Sequence, residues 1–85
     1  IYVYEVKEAT KLVLSNLVSI VEAGGGSKET VARVNVYLKD WNDFAAMNEA
    51  YAEFFGDYKP TRACVQVAAL AGDVPLEADM IAFGD

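Results

Sequence analysis

The spacing of apolar residues changes period at Gly24-Gly25-Gly26, and that change fixes the kind of fold open to this chain. Before the glycines, Val6, Ala9, Val13, Leu17 and Ile20 recur at three- and four-residue steps. Leu14, Val18 and Val21 widen the stripe, so the spacing predicts a helix over Val6 to Ala23 with one apolar face. After them the period is two: Val31, Arg33, Asn35 and Tyr37 alternate with Ala32, Val34, Val36 and Leu38, which predicts a half-buried strand from Thr30 to Leu38. The triplet is a helix stop, because glycine takes the left-handed conformation of a C-cap without steric penalty. It is not a phosphate loop: it follows a helix instead of a strand and lacks the Gly-Lys-Ser/Thr ending that such a loop needs.

Asp40-Trp41-Asn42-Asp43 supplies an N-cap with an acid three residues on, and Asn42 would serve as cap equally well. A second helix should run from there to about Phe55 and close at Gly56. Its stripe is Phe44, Met47, Tyr51 and Phe54 or Phe55, read as packing against a sheet. Two more strands, Arg62 to Leu70 and Leu76 to Phe83, are joined by the turn-rich Ala71-Gly72-Asp73-Val74-Pro75. The order helix, strand, helix, strand, strand gives an α+β domain over 1–85, with two helices packed on one face of a small mixed β-sheet. Strand order is left open by this pattern.

Seven basic against thirteen acidic residues leave a net charge of −6. That balance disfavours nucleic acid as partner, since such binding rests on Lys and Arg neutralising phosphates. With no histidine, neither a Ser-His nor a Cys-His catalytic pair can be built from these residues, and the single cysteine excludes a disulfide within the chain. No metal site is expected. No stretch approaches the run of about eighteen apolar residues that a membrane span needs, and Ile1-Tyr2-Val3-Tyr4-Glu5 lacks the basic region of a signal peptide, so the expectation is an intracellular chain without a membrane partner. A domain this short buries a limited share of its surface and gains much from association.

Arg62 is the charged residue placed to do chemistry. Pro60 fixes φ and cannot donate to a ladder, so Arg62 falls at the start of a strand, on the rim of the sheet. A guanidinium there matches a carboxylate with two parallel hydrogen bonds. Glu77 is expected to return on a neighbouring strand with the opposite charge, and an ordinary surface ion pair worth ~0–1 kcal/mol is the plain alternative.

The run Lys59-Pro60-Thr61-Arg62-Ala63-Cys64-Val65-Gln66-Val67-Ala68-Ala69-Leu70, preceded by Asp43-Phe44-Ala45-Ala46-Met47-Asn48-Glu49-Ala50-Tyr51-Ala52-Glu53-Phe54-Phe55, resembles the Rid/YjgF family of reactive intermediate deaminases in order and spacing, from about Val6 to Ala82. The resemblance implies a chorismate-mutase-like fold and a homotrimer around a central barrel, with ligand clefts at the subunit interfaces. It implies hydrolysis of 2-imino acids such as 2-iminobutanoate and 2-iminopropanoate to 2-keto acids and ammonia, without a cofactor. In that reading Arg62 anchors the substrate carboxylate, Glu77 polarises a water or shuttles a proton, and Asn48 faces the ligand. The main chain around Cys64 completes the water site, while its thiol, lacking a histidine to make a thiolate, is a small buried filler. The expected compartment is the cytoplasm, with the mitochondrion as the other considered.

Three departures from the family pattern stand in the sequence. Members usually carry further strands and a tyrosine-bearing loop before the first helix, so the expectation is an N-terminally shortened Rid domain, whether as a fragment of a longer chain, a partly ordered one or a shortened paralogue, with Ile1-Tyr2-Val3-Tyr4 as a strand remnant. Ala78 stands where a larger apolar residue is usual, and Asp79 where a second glutamate is usual; both bear on packing more than on chemistry. Two further functions are carried beside deamination: a non-catalytic module binding a small keto acid through the same Arg62, and a structural trimer. Ribonuclease activity, the older family label, is set low on the acidic balance and the absent histidine.

Overall fold

A computed structural model describes residues 2–57, 60–70 and 74–83, the first three of these by backbone alone. Helix α1 spans Tyr2–Ala23, strand β1 Val31–Leu38, helix α2 Phe44–Phe55, strand β2 Thr61–Gln66 and strand β3 Leu76–Ala82. The sheet is mixed, in the order β2-β1-β3, with β2 parallel and β3 antiparallel to the central strand. Parallel neighbours need a crossover, and α2 supplies it between β1 and β2. Residues 2–4, expected as a strand remnant, continue α1. No proline or glycine separates them from the helical run, so nothing stops the helix there.

The core lies between the helices and one face of the sheet. From α1 it takes Val6, Leu14 and Val18; from β1 Val34, Val36 and Leu38; from α2 Met47, Tyr51 and Phe55; and from β3 Leu76. Thr10 completes the line of four-residue steps on α1, and its hydroxyl donates to the Val6 carbonyl at 2.7 Å, which satisfies the one polar group on that line. The buried line is therefore Val6, Thr10, Leu14 and Val18. Ile20, expected on the same face, is 69% exposed, because it stands two residues, about 200° of helix rotation, from the buried Val18. On α2, Phe55 and not Phe54 takes the fully buried place.

Val31 is buried with Val34 although the two differ by an odd number of positions. The register explains it: Val31 pairs with Ala82 and Arg33 with Ile81, so Ala32 is an extra residue in β1, and this bulge turns Val31 back to the core side. Asp40 does act as a cap, but of a short 3₁₀ turn, Trp41–Asp43, where its carboxylate accepts from the Asn42 amide at 3.0 Å; α2 begins after it. Gly56 ends α2, as the sequence predicts, with φ of 61° and ψ of −125°, a positive φ that favours glycine. Strand β2 stops at Gln66, short of Leu70, because its partner β1 ends at Leu38: the Val67 amide makes the last bond, to the Leu38 carbonyl at 2.9 Å. Of the expected turn at 71–75, residues 71–73 lie outside the described residues.

The helices are tied across their outer surface by ion pairs. Lys7 Nζ meets Glu49 at 2.8 Å and Lys11 Nζ meets Glu53 at 2.8 Å. Numbers rise together on both helices, so α1 and α2 run in the same sense along this seam. These pairs are largely open to solvent and contribute little to stability.

Candidate functional site

Pairing along β1 assigns every strand residue to a face, because directly paired residues share one. Arg62 pairs with Val34 and Cys64 with Val36, which puts both on the helix side; Glu77 pairs with Tyr37, which puts it on the open side. The expectation that Glu77 sits on a strand next to that of Arg62 is corrected by the strand order: β1 lies between them. Within one chain the two are separated by two strand spacings, roughly 10 Å across the sheet, and by the sheet itself.

Arg62 is half-buried against α2. Its Nη1 donates to Asn48 Oδ1 at 2.6 Å, and its Cζ lies 4.8 Å from the centre of the Tyr51 ring and 5.6 Å from that of Phe44. Phe44, Asn48 and Tyr51 stand at positions i, i+4 and i+7 of one helix, so they form one stripe over which the guanidinium lies. The negative faces of the rings favour a cation there. Tyr51 is held in turn: its hydroxyl approaches the Pro60 carbonyl at 3.5 Å, and its ring tilts against Phe55 at 4.9 Å. Asn48, Tyr51, Ala52, Pro60 and Arg62 line a hollow of about 310 Å³ beside the guanidinium. Apart from the bond to Asn48, the guanidinium donors have no hydrogen-bond partner among the described residues, so two parallel N–H groups remain for an incoming carboxylate.

Cys64 packs its side chain against the core. Burial pushes the thiol above its ordinary pKa, and the nearby Arg62 charge offsets this only in part. The sulfur is therefore a protonated thiol at neutral pH. Its main chain differs: β2 is an edge of the described sheet, and the Val67 amide bonds to β1. Peptide groups alternate sides along a strand, so the Cys64 amide and carbonyl face away from β1, three residues from Val67 on the opposite phase.

The open face holds a polar chain that the sequence did not announce. Arg33 Nε donates to Asn35 Oδ1 at 3.1 Å, Asn35 Nδ2 to Asp79 Oδ1 at 2.8 Å, and the Tyr37 hydroxyl to Asp79 Oδ2 at 3.1 Å. The hydrogen bond donated to Asp79, above all, raises the Tyr37 phenol above its usual pKa. Glu77 stands at the end of this face beside Tyr37, exposed and outside the hydrogen-bonded chain. Val65 and Ile81 flank the polar centre as exposed apolar residues.

The structure thus brings Arg62 and Asn48 together, keeps Cys64 beside them, and leaves Glu77 apart. What the sequence reading missed is the part played by Phe44 and Tyr51, taken as core packing alone. The signal was present in their seven-residue spacing with Asn48 between them. Asp79, read as a packing difference, is the hub of the open face. No group of three or more His, Cys, Asp or Glu side chains able to hold a metal ion occurs among the described residues.

Residues 1–83 match the family model described as Endoribonuclease L-PSP. The chain is 51% identical to the RutC family protein PH0854 of Pyrococcus horikoshii, over 93% of this chain and 63% of that one. It is 43% identical to TdcF of Escherichia coli K12, a protein named as a candidate reactive intermediate deaminase, over 92% and 63% of the two chains. The crystal structure of E. coli TdcF with bound serine superimposes with a TM-score of 0.88 at 42% identity, covering 94% of this chain and 65% of that one. The chain spans less than two thirds of the length of these relatives.

Proposed function

The chain belongs to the endoribonuclease L-PSP family, the Rid/YjgF proteins, and from that premise we propose that it serves the hydrolysis of reactive 2-imino acids, 2-iminobutanoate and 2-iminopropanoate, to 2-keto acids and ammonia. The observation that carries the reading is the state of Arg62: lying over Tyr51, bonded to Asn48, and with a fork of donors unbonded among the described residues beside a hollow sized for a small acid. Arg62 binds the substrate carboxylate as a bidentate pair. The anchored imine carbon is then held in one place for attack, and orientation of this kind lowers a barrier by several kcal/mol.

In the reaction, water oxygen bonds to the imine carbon and the C=N π pair moves to nitrogen. The water proton passes to the Glu77 carboxylate as general base. Glu77 hands that proton to the nitrogen, giving the neutral carbinolamine C(OH)–NH₂; it then takes the hydroxyl proton and delivers it to the nitrogen as the C–N bond breaks, so the bond pair leaves on ammonia while the O–H pair forms the keto C=O. Because Arg62 and Glu77 face opposite sides of one sheet, the Glu77 that acts at a given Arg62 belongs to a second copy of the chain. This agrees with interfacial clefts in a homotrimer. Ribonuclease action is a poorer fit to a chain with thirteen acidic residues, seven basic ones and no histidine.

The separation of Arg62 from Glu77 also favours a second reading, a module that binds a small carboxylate without turning it over; the serine carried by the TdcF crystal structure is a ligand of that chemical kind. Glu77→Gln separates the two. If the chain is a deaminase, the variant loses imine turnover and keeps 2-oxobutanoate binding; if wild type binds 2-oxobutanoate and never accelerates imine loss, the binding module is the function.

A further inference from the structure

We infer that Asn48 is a positioning residue for Arg62: its side-chain oxygen fixes the guanidinium before any ligand arrives, so that the carboxylate meets a preset fork. This rests on the reading of Arg62 as carboxylate anchor, and it gives Asn48 a role other than touching the ligand. The 2.6 Å contact is short for a neutral acceptor and places the amide oxygen on Nη1. The Tyr51 and Phe44 rings lie 4.8 and 5.6 Å from the guanidinium carbon, and Asn48, at the position between them on α2, adds a directed hydrogen bond to Nη1 that two ring contacts alone do not supply. The hydrogen-bond geometry also assigns the amide: a guanidinium has only donors, so the Asn48 oxygen turns to Arg62 and its NH₂ group is turned away.

A free arginine side chain carries several rotatable bonds and loses their freedom when it pairs with an anion. Fixing it beforehand removes that loss from the binding step, which is how preorganisation raises affinity. Asparagine suits the task better than aspartate. A carboxylate at this place would hold the guanidinium as firmly but would neutralise the charge meant for the substrate.

The test uses two readouts on the same chain. The first is nitrogen-resolved NMR of the Arg62 guanidinium, which is set against Arg33, the other arginine of the chain. Separate Arg62 Nη signals are expected in the wild type, averaged in Asn48→Ala and separate again in Asn48→Asp. The second is titration with 2-oxobutanoate, where both variants should bind on the order of tenfold more weakly, since one oriented hydrogen bond to a charged group is lost or its charge is cancelled. Asn48 is exposed, so the melting temperature should stay close to that of the wild type, and a merely structural role would not move the NMR signals. Averaged Arg62 signals in the wild type, or Asn48→Ala binding 2-oxobutanoate as well as the wild type does, overturn the inference. Fixed signals that Asn48→Ala releases, in a protein that neither binds 2-oxobutanoate nor turns over imines, uphold the positioning and remove the deaminase reading instead.

Discussion

Arg62 and Glu77 stand on opposite faces of the same sheet, opposite Val34 and Tyr37 of the central strand. Odd separation along β1 puts them on different sides, and no side-chain rotation undoes that. A site using both is therefore shared between copies of the chain.

Sharing has a measurable consequence. Arg62→Ala and Glu77→Gln should each be inactive alone, yet mixing them before co-refolding should restore about a quarter of wild-type activity, because random assembly of a symmetric oligomer joins intact halves at that frequency. If both groups act within one chain, the mixture stays inactive.

Leu14 and Ile20 were equivalent to the eye of the sequence and are not so in the fold. Leu14 is 1% exposed and Ile20 is 69% exposed. Leu14→Ala should lower stability by about 2–5 kcal/mol through lost burial and the cavity left behind. Ile20→Ala should stay within about 0.5 kcal/mol of wild type. Urea unfolding of the two variants checks the contrast.

The glycine triplet also divides. A Cβ on Gly26 would meet the Phe83 carbonyl oxygen and the Thr30 hydroxyl at 2.7 Å, and the first of these is backbone that cannot swing aside. Gly26→Ala should destabilise the turn. At Gly24 the nearest atoms are 3.6 and 3.8 Å away, so Gly24→Ala should be neutral or stabilising by about 0.4–1 kcal/mol, from the reduced freedom of the unfolded chain. Thermal melts of both variants decide it.

Cys64 should behave as an inert thiol. Burial raises its pKa and Arg62 lowers it, so the thiolate forms only above the usual range, and removing the positive charge should raise the pKa further. Labelling by a disulfide reagent should be slow at neutral pH, speed up as pH rises, and be slower still in Arg62→Ala. Fast labelling at neutral pH would contradict this and return the sulfur to candidacy as a nucleophile.

Much of the architecture was legible because period alone separates helix from strand: α1, β1, α2 and the two-helices-on-one-face layering follow from it. The strand order was not. Nothing local in β2 or β3 says which side of β1 each takes, and so the face of Glu77 could not be read. The bulge at Ala32 escaped for a related reason: it is visible only as a slip against Ala82 and Ile81, and a count of two along β1 passes over it. At the site, Arg62 was legible from Pro60 and the strand that follows, whereas the Phe44 and Tyr51 rings were hidden by their resemblance to core residues, which Tyr51 also is. One side chain serving both packing and cation stacking carries no separate mark in sequence.

Imine hydrolysis anchored by Arg62 is open to one direct assay. 2-Iminobutanoate is generated by an amino-acid oxidase and trapped by semicarbazide, with wild-type protein, Arg62→Ala or buffer alone. Wild type is expected to suppress trapping and Arg62→Ala to give the buffer result. Trapping unchanged by the wild-type chain would contradict that expectation.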